Sequence, residues 1–483
     1  MHQQLQNSWQ KYIHNLDSVI ESMQKETTIA VAVAPYQRVI PSLFLSRKSY
    51  QIYAVKNSRD LEVLRNYATI FSLEEHNPKF AAKVQSTGYL LKSYMFQGFL
   101  KSRRDPFKLL FYQTNPPIIN YLNQEGIPWI GNDPETFAPI VHKEGFRKIL
   151  QELKLSHLPA WNLPKEEILK KEYGDVFKRW QQSFVCQPAD YDVTGGNFFI
   201  HSQEDFAKAL DSIKSNRIFE PVNMFKLSPF VTGDTLSMLG CVTEQGVLTS
   251  PLQLQLIDVS ESLYGNQPGG TFFGHDWGYR SWSAGTETDA QVTVEVLGEW
   301  LYKRGYRGIF GIDFMYDKKK DELFPLECNP RFTGAIPVYS MINIMNGVPP
   351  IDFFTLAEYM KIPIDFDFEA VNDMWKKPTV VSHIALAPQG VGTMKLDMKA
   401  GIYSASSQGD LIYKRPGAFL HELRGKEEMI IIDQIPLVGS AISENVPRLF
   451  KLIIPNSISN GSNQLKPLYS TILNKLHSSL RAS

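Results

Sequence analysis

Two short segments in the second half of the chain hold the residues best suited to chemistry. They are Gly311-Ile-Asp-Phe-Met315 and Leu326-Glu-Cys-Asn-Pro-Arg-Phe-Thr-Gly334, and the charged turn Asp317-Lys-Lys-Lys-Asp321 lies between them. Both segments read as strands. On two antiparallel strands joined by a short turn, Asp313 and Glu327 come side by side. Residues two apart on a strand face the same way, so Glu327 and Asn329 project together. Three hard oxygen donors then converge. That set suits Mg²⁺, or Mn²⁺ as a substitute, with phosphate oxygens completing the shell. Arg331, two residues further along the same face, can hold a transferring phosphoryl group or an acyl phosphate in a bidentate contact. Pro330 ends ladder pairing there and frees the strand end for a site. The alternative is an ordinary hairpin with surface acids. Against it, the carboxylates sit among Ile309, Phe310, Ile312, Phe314, Leu323, Phe324 and Leu326. A carboxylate buried in such a setting needs a metal or a cation.

Four earlier segments precede this pair in a fixed order. They are Ile140-Val-His-Lys-Glu-Gly-Phe-Arg-Lys-Ile-Leu150 with Leu158-Pro159, then Phe184-Val-Cys-Gln-Pro188, then Thr194-Gly-Gly-Asn197, and then Lys226-Leu-Ser-Pro-Phe-Val-Thr-Gly-Asp-Thr-Leu236. Together with Asp313 and Glu327-x-Asn329, they resemble the ATP-grasp superfamily over residues 140–345, on its carboxylate–amine ligase branch. The resemblance implies that Asp313, Glu327 and Asn329 bind magnesium and that Lys143 contacts the nucleotide phosphates, with His142 where the family usually has Asp. It also implies that Gly195 and Gly196 belong to a loop folded over the phosphates. Glycines there let backbone N–H groups approach an anion closely. Gln187 stands where many members have Lys. Its amide can hydrogen-bond the α-phosphate but adds no charge, and it is read as the mark of an amide-forming subfamily. At the hinge, Pro229 would offer a carbonyl and Val231 an N–H to the adenine. Ser228 replaces the usual hinge Glu. Thr235, with Asp234 beside it, falls where the ribose-binding Glu is expected.

The family chemistry implied is phosphorylation of a substrate carboxylate by ATP, followed by attack of an amine on the acyl phosphate. Small-molecule carboxylate and amine substrates are expected, an amino acid or a peptide among them. The glycine- and aromatic-rich stretch 264–283 is expected to lie over the substrates. In it His275 and Asp276 would assist proton removal from the amine, and Arg280 would hold a carboxylate or phosphate. An Ω-loop packed by its own aromatics is the bland alternative. His142, His201, His383 and His421 are read as ordinary histidines. Competing functions are a degenerate nucleotide-binding module and an acid–thiol ligase of the same fold. A metal hydrolase is disfavoured by the lack of additional histidine ligands. Carboxylation is disfavoured by the lack of a Met-Lys-Met biotin-attachment motif.

The elements that must position these residues alternate in type. Residues 7–24 carry one apolar helical stripe (Trp9, Tyr12, Ile13, Leu16, Val19, Ile20, Met23). Strand-like runs at 28–34, 51–55, 69–73, 108–112 and 128–130 alternate with helical segments, which predicts an open parallel sheet. No G-x-G-x-x-G follows the first strand. The run 252–256 alternates Leu and Gln as a strand with one wet face. The expected class is α/β, with an α+β catalytic core. A pre-ATP-grasp unit over 1–139 is followed by an ATP-grasp domain over 140–375, with a small lobe at about 140–230 and a large lobe at about 231–345. A β-containing extension spans 376–483, and residues 455–464 read as a loop.

Bulk properties narrow the function classes. The chain of 483 residues carries 50 basic and 50 acidic side chains and is 43% hydrophobic. Such a balance calls for neither nucleic acid nor an anionic membrane. Cys186, Cys241 and Cys328 are far apart, against a disulfide framework or zinc site. No run approaches the roughly eighteen apolar residues of a membrane span. A cytoplasmic protein that can form a homodimer is expected.

Overall fold

The computed structural model describes residues 2–84, 86–190, 196–263, 270–388, 392–442 and 448–481. The N-terminal strands are β1 (Thr27–Ala32), β2 (Tyr50–Ala54), β3 (Thr69–Ser72), β4 (Phe107–Leu110) and β5 (Trp129–Ile130). They pair in parallel in the order β3-β2-β1-β4-β5. The order reverses between β1 and β4, so a crevice opens at their carboxyl ends. Both faces are covered, so β1 is buried almost throughout.

The expected single helix over 7–24 is two helices, His2–Trp9 and Leu16–Met23. The chain between them is drawn into tertiary contacts instead: Ile13 bridges Phe366, and the His14 N–H donates to the Asp365 carbonyl. The apolar stripe nonetheless enters the core through Trp9, Ile13, Leu16 and Val19.

Next comes a four-stranded antiparallel sheet of β6 (Trp161–Pro164), β7 (Phe184–Pro188), β8 (Phe198–Ile200) and β9 (Met224–Pro229), in the order β6-β9-β7-β8. It has its own core around Phe184, Phe206, Phe225 and Leu227. The helix Lys143–Glu152 precedes it.

The largest sheet is built from β10 (Asp234–Thr243), β11 (Gly246–Thr249), β12 (Gln253–Ile257), β13 (Phe272–Asp276), β14 (Gly308–Asp317) and β15 (Glu322–Asn329). It continues through β16 (Ser382–Leu386), passes the short pair β17 (Gly392–Thr393) and β21 (Ala441–Ile442), and takes in β18 (Gly401–Ala405), β19 (Leu411–Arg415), β20 (Glu428–Ile432) and β22 (Phe450–Ile454). The main path runs β15-β14-β10-β12-β13-β16-β22-β20-β18-β19, with β11 on β10. The strands after residue 376 thus extend the sheet that carries Asp313. The helix Ala284–Lys303, capped by the Ser283 hydroxyl, packs on β10 and β11. The helices Ile336–Met345 and Ile351–Tyr359 are buried nearly all round.

The face of β12 expected to be wet is buried: Gln253 is 0% exposed and Gln255 9%. The Gln255 amide serves an interior side chain rather than solvent. The stretch expected as a loop forms two short paired strands, Ser459–Gly461 and Gln464–Leu465. Among the described residues, no helix is long and apolar enough to cross a membrane.

Candidate functional site

The antiparallel register of β14 and β15 sets Asp313 opposite Glu327 and Gly311 opposite Asn329. The Asn329 Nδ2 donates to Asp313 Oδ2 at 2.9 Å and to Glu327 Oε1 at 3.2 Å. From β12, the Gln255 Nε2 donates to Asp313 Oδ1 at 2.7 Å. Burial, and next the Glu327 carboxylate, push the Asp313 carboxyl well above its ordinary range. Neither carboxylate forms an ion pair with a lysine or arginine among the described residues. Two facing carboxylates, that of Asp313 desolvated, without an ion-paired partner fit a divalent cation. The third donor is an amide, so no cluster of three His, Cys, Asp or Glu side chains occurs among the described residues. A half-turn of the Asn329 terminal amide points its oxygen, the atom a hard cation requires, at the pair.

A second polar group lies on the small sheet. Gln187 of β7 pairs across β9 with Lys226, and Lys226 pairs across β6 with Asn162. Cross-strand partners share a face, so these three side chains form one row. The Gln187 Nε2 lies 3.1 Å from Asn197 Oδ1, and the Lys143 Nζ, at the start of the helix Lys143–Glu152, lies 3.5 Å from the same oxygen. Asn162 donates to Glu144, which is ion-paired with Arg147 at 2.9 Å. The half-buried Lys226 ammonium has no hydrogen bond or ion pair among the described residues. Burial, then neighbouring Lys143, lower it to about 8, while Glu144 and Glu327 act in the other direction. Glu327 therefore lies within electrostatic reach of this row. Gly195 lies outside the described residues; Gly196, just after it, is buried.

Pro229 ends β9, and Val231 lies in the connection to β10, where its N–H has no backbone partner among the described residues. The connection passes tightly over β14. A Cβ at Gly233 would fall 1.7 Å from the Tyr316 carbonyl oxygen, so only glycine fits. The Thr235 hydroxyl lies 3.1 Å from Ser462 Oγ. Asp234 is ion-paired with Lys318 at 2.7 Å and accepts from the Ser462 N–H at 3.0 Å.

Of the remaining predicted residues, Arg331 stays within electrostatic reach of Asp313, and the others lie elsewhere. Arg331 turns toward the N-terminal sheet, its Nη1 donating to the Tyr112 hydroxyl at 2.6 Å. His275 is buried, with Nδ1 3.0 Å from the His383 Nε2. Burial, then Lys451, lower its pKa to about 3, so the ring is neutral. It is cross-strand to Gln255 and therefore one strand removed from the residue that contacts Asp313. Asp276 accepts from the N–H groups of Gly278, Tyr279, Ile458 and Ser459 and anchors the loop ends. Arg280 donates to the Leu252 carbonyl, lies 3.9 Å from Glu287 and stacks over Trp282. Of the stretch 264–283, residues 264–269 lie outside the described residues. The structure thus groups Asp313, Glu327 and Asn329, and separately Lys143 and Gln187. It does not set His275 or Arg280 against either group. Gln255, Asn197, Lys226 and Tyr112 were not singled out from the sequence. A lone lysine inside the apolar strand Met224–Pro229 was the available signal for Lys226.

No protein-family model matches the chain. A curated relative, the arginine-specific large chain of carbamoyl phosphate synthase from Geobacillus stearothermophilus, is 20% identical over 336 residues, covering 67% of this chain and 29% of its own length. The chain therefore spans less than a third of that relative. Among solved structures, a biotin carboxylase–ATP complex from Campylobacter jejuni superposes with TM-score 0.59 at 12% identity, over 94% of this chain and 96% of that one. An L-amino acid ligase from Bacillus licheniformis superposes with TM-score 0.53 at 12% identity, over 94% and 98%. An ADP complex of N5-carboxyaminoimidazole ribonucleotide synthetase gives TM-score 0.53 at 10% identity, over 94% and 96%. At such identities the likeness is one of architecture, and over nearly its whole length the chain has the ATP-grasp fold.

Proposed function

We propose that the chain is an ATP-dependent carboxylate–amine ligase that joins its two small-molecule substrates through an acyl phosphate, releasing ADP and phosphate. The observation that carries the reading is the paired, uncompensated Asp313 and Glu327 on one sheet, within electrostatic reach of the cationic row on the other. Lys143 and Lys226 hold the phosphates, Gln187 and Asn197 orient them, and the buried Gly196 brings backbone close to them. The Pro229 carbonyl and Val231 N–H receive the adenine, and Thr235 faces the ribose. Asp313, Glu327 and Asn329 hold magnesium, or manganese in its place. When bound, the ion neutralises charge on the terminal phosphates. Arg331 steadies the transferring phosphoryl group. The protein needs no nucleophile of its own, since positioning and charge neutralisation suffice. His275 supports Gln255 as a neutral imidazole, and Arg280 braces the substrate loop through Leu252. The L-amino acid ligase among the neighbours favours an amino acid or peptide as substrate.

The test is ADP release with magnesium against a panel of amino acids and dipeptides. At least one pair is expected to stimulate release, and Glu327→Gln and Asn329→Ala are each expected to abolish it with the fold intact. Turnover at the parental rate in either variant contradicts the metal assignment. ATP binding without ADP release from any pair favours a nucleotide-binding module instead.

A further inference from the structure

Two guanidinium groups meet at the Tyr112 ring, at the crevice where the N-terminal sheet reverses its strand order, and a third lies within electrostatic reach of it. Arg38 follows β1 and Tyr112 follows β4, the two strands that flank the reversal. The Arg38 Cζ lies 5.3 Å from the centre of the Tyr112 ring and 4.1 Å from that of Phe332. Arg331 arrives from the metal-binding strand, 5.4 Å from the Tyr112 ring centre, with Nη1 on its hydroxyl. Arg448, just before β22, lies 4.9 Å from the Phe272 ring centre and donates from Nη2 to the Phe272 carbonyl at 3.0 Å. Tyr112 contributes to the electrostatic surroundings of both Arg38 and Arg448; Asp433, itself ion-paired with Lys451, contributes more to Arg448.

These three arginines are partly or wholly buried without an ion pair, unlike six others. Arg59, Arg65, Arg147, Arg280, Arg307 and Arg415 all form ion pairs. Arg38, Arg331 and Arg448 form none among the described residues. Arg38 is only 3% exposed, and its Nε lacks any partner. Its nearest acid in electrostatic terms, Asp352, is hydrogen-bonded to Ser340 instead. A buried guanidinium without a counter-charge is costly, and packing alone does not call for two on one phenol with a third close by. Tyr112 is 39% exposed, so the cluster opens to solvent. Planar, bidentate donors of this kind recognise carboxylate or phosphate.

We infer that this crevice binds an oxyanionic group of the substrate, carboxylate or phosphate, separate from the carboxylate that is phosphorylated, through Arg38, Arg331 and Arg448. The inference rests on the ligase reading and narrows its substrate to one carrying at least two anionic groups. Arg331 links the two ends, because it follows the metal donors by two residues and reaches Tyr112 in the crevice.

The experiment is calorimetric titration of the full chain with two matched pairs: succinate against succinamate, and ribose 5-phosphate against ribose. The same titrations are run on Arg448→Gln and Arg448→Lys, with each variant's melting temperature checking its fold. Arg448 is partly buried against Phe272, so the melting temperatures decide whether each variant keeps the fold. At least one dianion is expected to bind tenfold or more tightly than its partner, with the preference lost in Arg448→Gln and partly kept in Arg448→Lys. Which pair responds distinguishes a carboxylate from a phosphate as the group bound. No preference in either pair, or a preference that survives Arg448→Gln, overturns the inference. ADP release measured alongside keeps the two claims apart. Release without anion preference removes the crevice assignment alone, and anion preference without release removes the ligase reading alone.

Discussion

Gln187 on β7 and Lys226 on β9 stand directly opposite each other, so a positive charge lies across from a neutral amide on one face of the small sheet. Register makes the two positions interchangeable in space. An ammonium carried on either strand projects from the same row, and in this chain β9 carries it.

Charge exchange between the two strands tests that relationship. Lys226→Gln should raise the Kd for ATP ten- to a hundredfold, since a hydrogen bond to a charged group contributes on the order of 1.5–3 kcal/mol. Gln187→Lys alone should bring no gain, because it sets two ammonium groups opposite each other. The double variant should recover most of the affinity lost in Lys226→Gln. Calorimetric titration of ATP into the four proteins reads all three outcomes.

Protonation of Lys226 should couple to nucleotide binding. Its pKa is lowered to about 8, chiefly by burial. The ammonium form binds phosphate, so ATP affinity should fall as pH rises through about 8. Above that pH, binding should take up a proton as the triphosphate restores the charge. Titrations in buffers of different ionisation enthalpy at pH 9 measure the uptake, which should be absent in Lys226→Gln.

The seam between β13 and β16 should tolerate no side chain at Gly274. A Cβ there would lie 1.9 Å from the His383 carbonyl oxygen, a backbone atom that cannot swing aside. Gly274→Ala should cost about 1–3 kcal/mol, as overpacking usually does, or more if the seam opens. Chemical denaturation measures it.

Stability should fall as pH rises from about 4 to about 7. Asp60 is fully buried, accepts from Ser58 at 3.0 Å and from the Gln434 N–H, and has its pKa raised to about 7 by burial and then by Asp433. The unfolded chain loses this proton near pH 4 and the folded chain near 7. The folded state therefore binds more protons between those values, and its stability declines as pH rises through them. Asp352, raised to about 6, and Glu358, raised to about 7, act in the same direction. The melting temperature should drop across this range, with a shallower slope in Asp60→Asn.

The hairpin of Asp313 and Glu327 was legible because its information is local. Asp313, Glu327 and Asn329 sit within twenty residues, and period-two geometry alone decides which side chains meet. The parallel N-terminal sheet was legible from alternation of strands and helices for a similar reason. Lys226 was not, because its meaning depends on pairing with a strand about forty residues away. Tyr112 and Arg331 are 219 positions apart, and only tertiary folding brings them into contact. The polar face of β12 was read as wet because alternation reports two environments, not which of them is solvent. Likewise, nothing local in 376–454 signals that these strands extend the sheet carrying Asp313, since β13–β16 pairing joins segments over a hundred residues apart.

The central claim, that Asp313 and Glu327 gather a divalent cation beside ATP, is tested most directly by titrating ATP with magnesium and with EDTA into the parent chain and Glu327→Gln. Magnesium should tighten ATP binding at least tenfold in the parent and leave the variant's affinity nearly unchanged. An equal magnesium effect in both proteins would contradict the account.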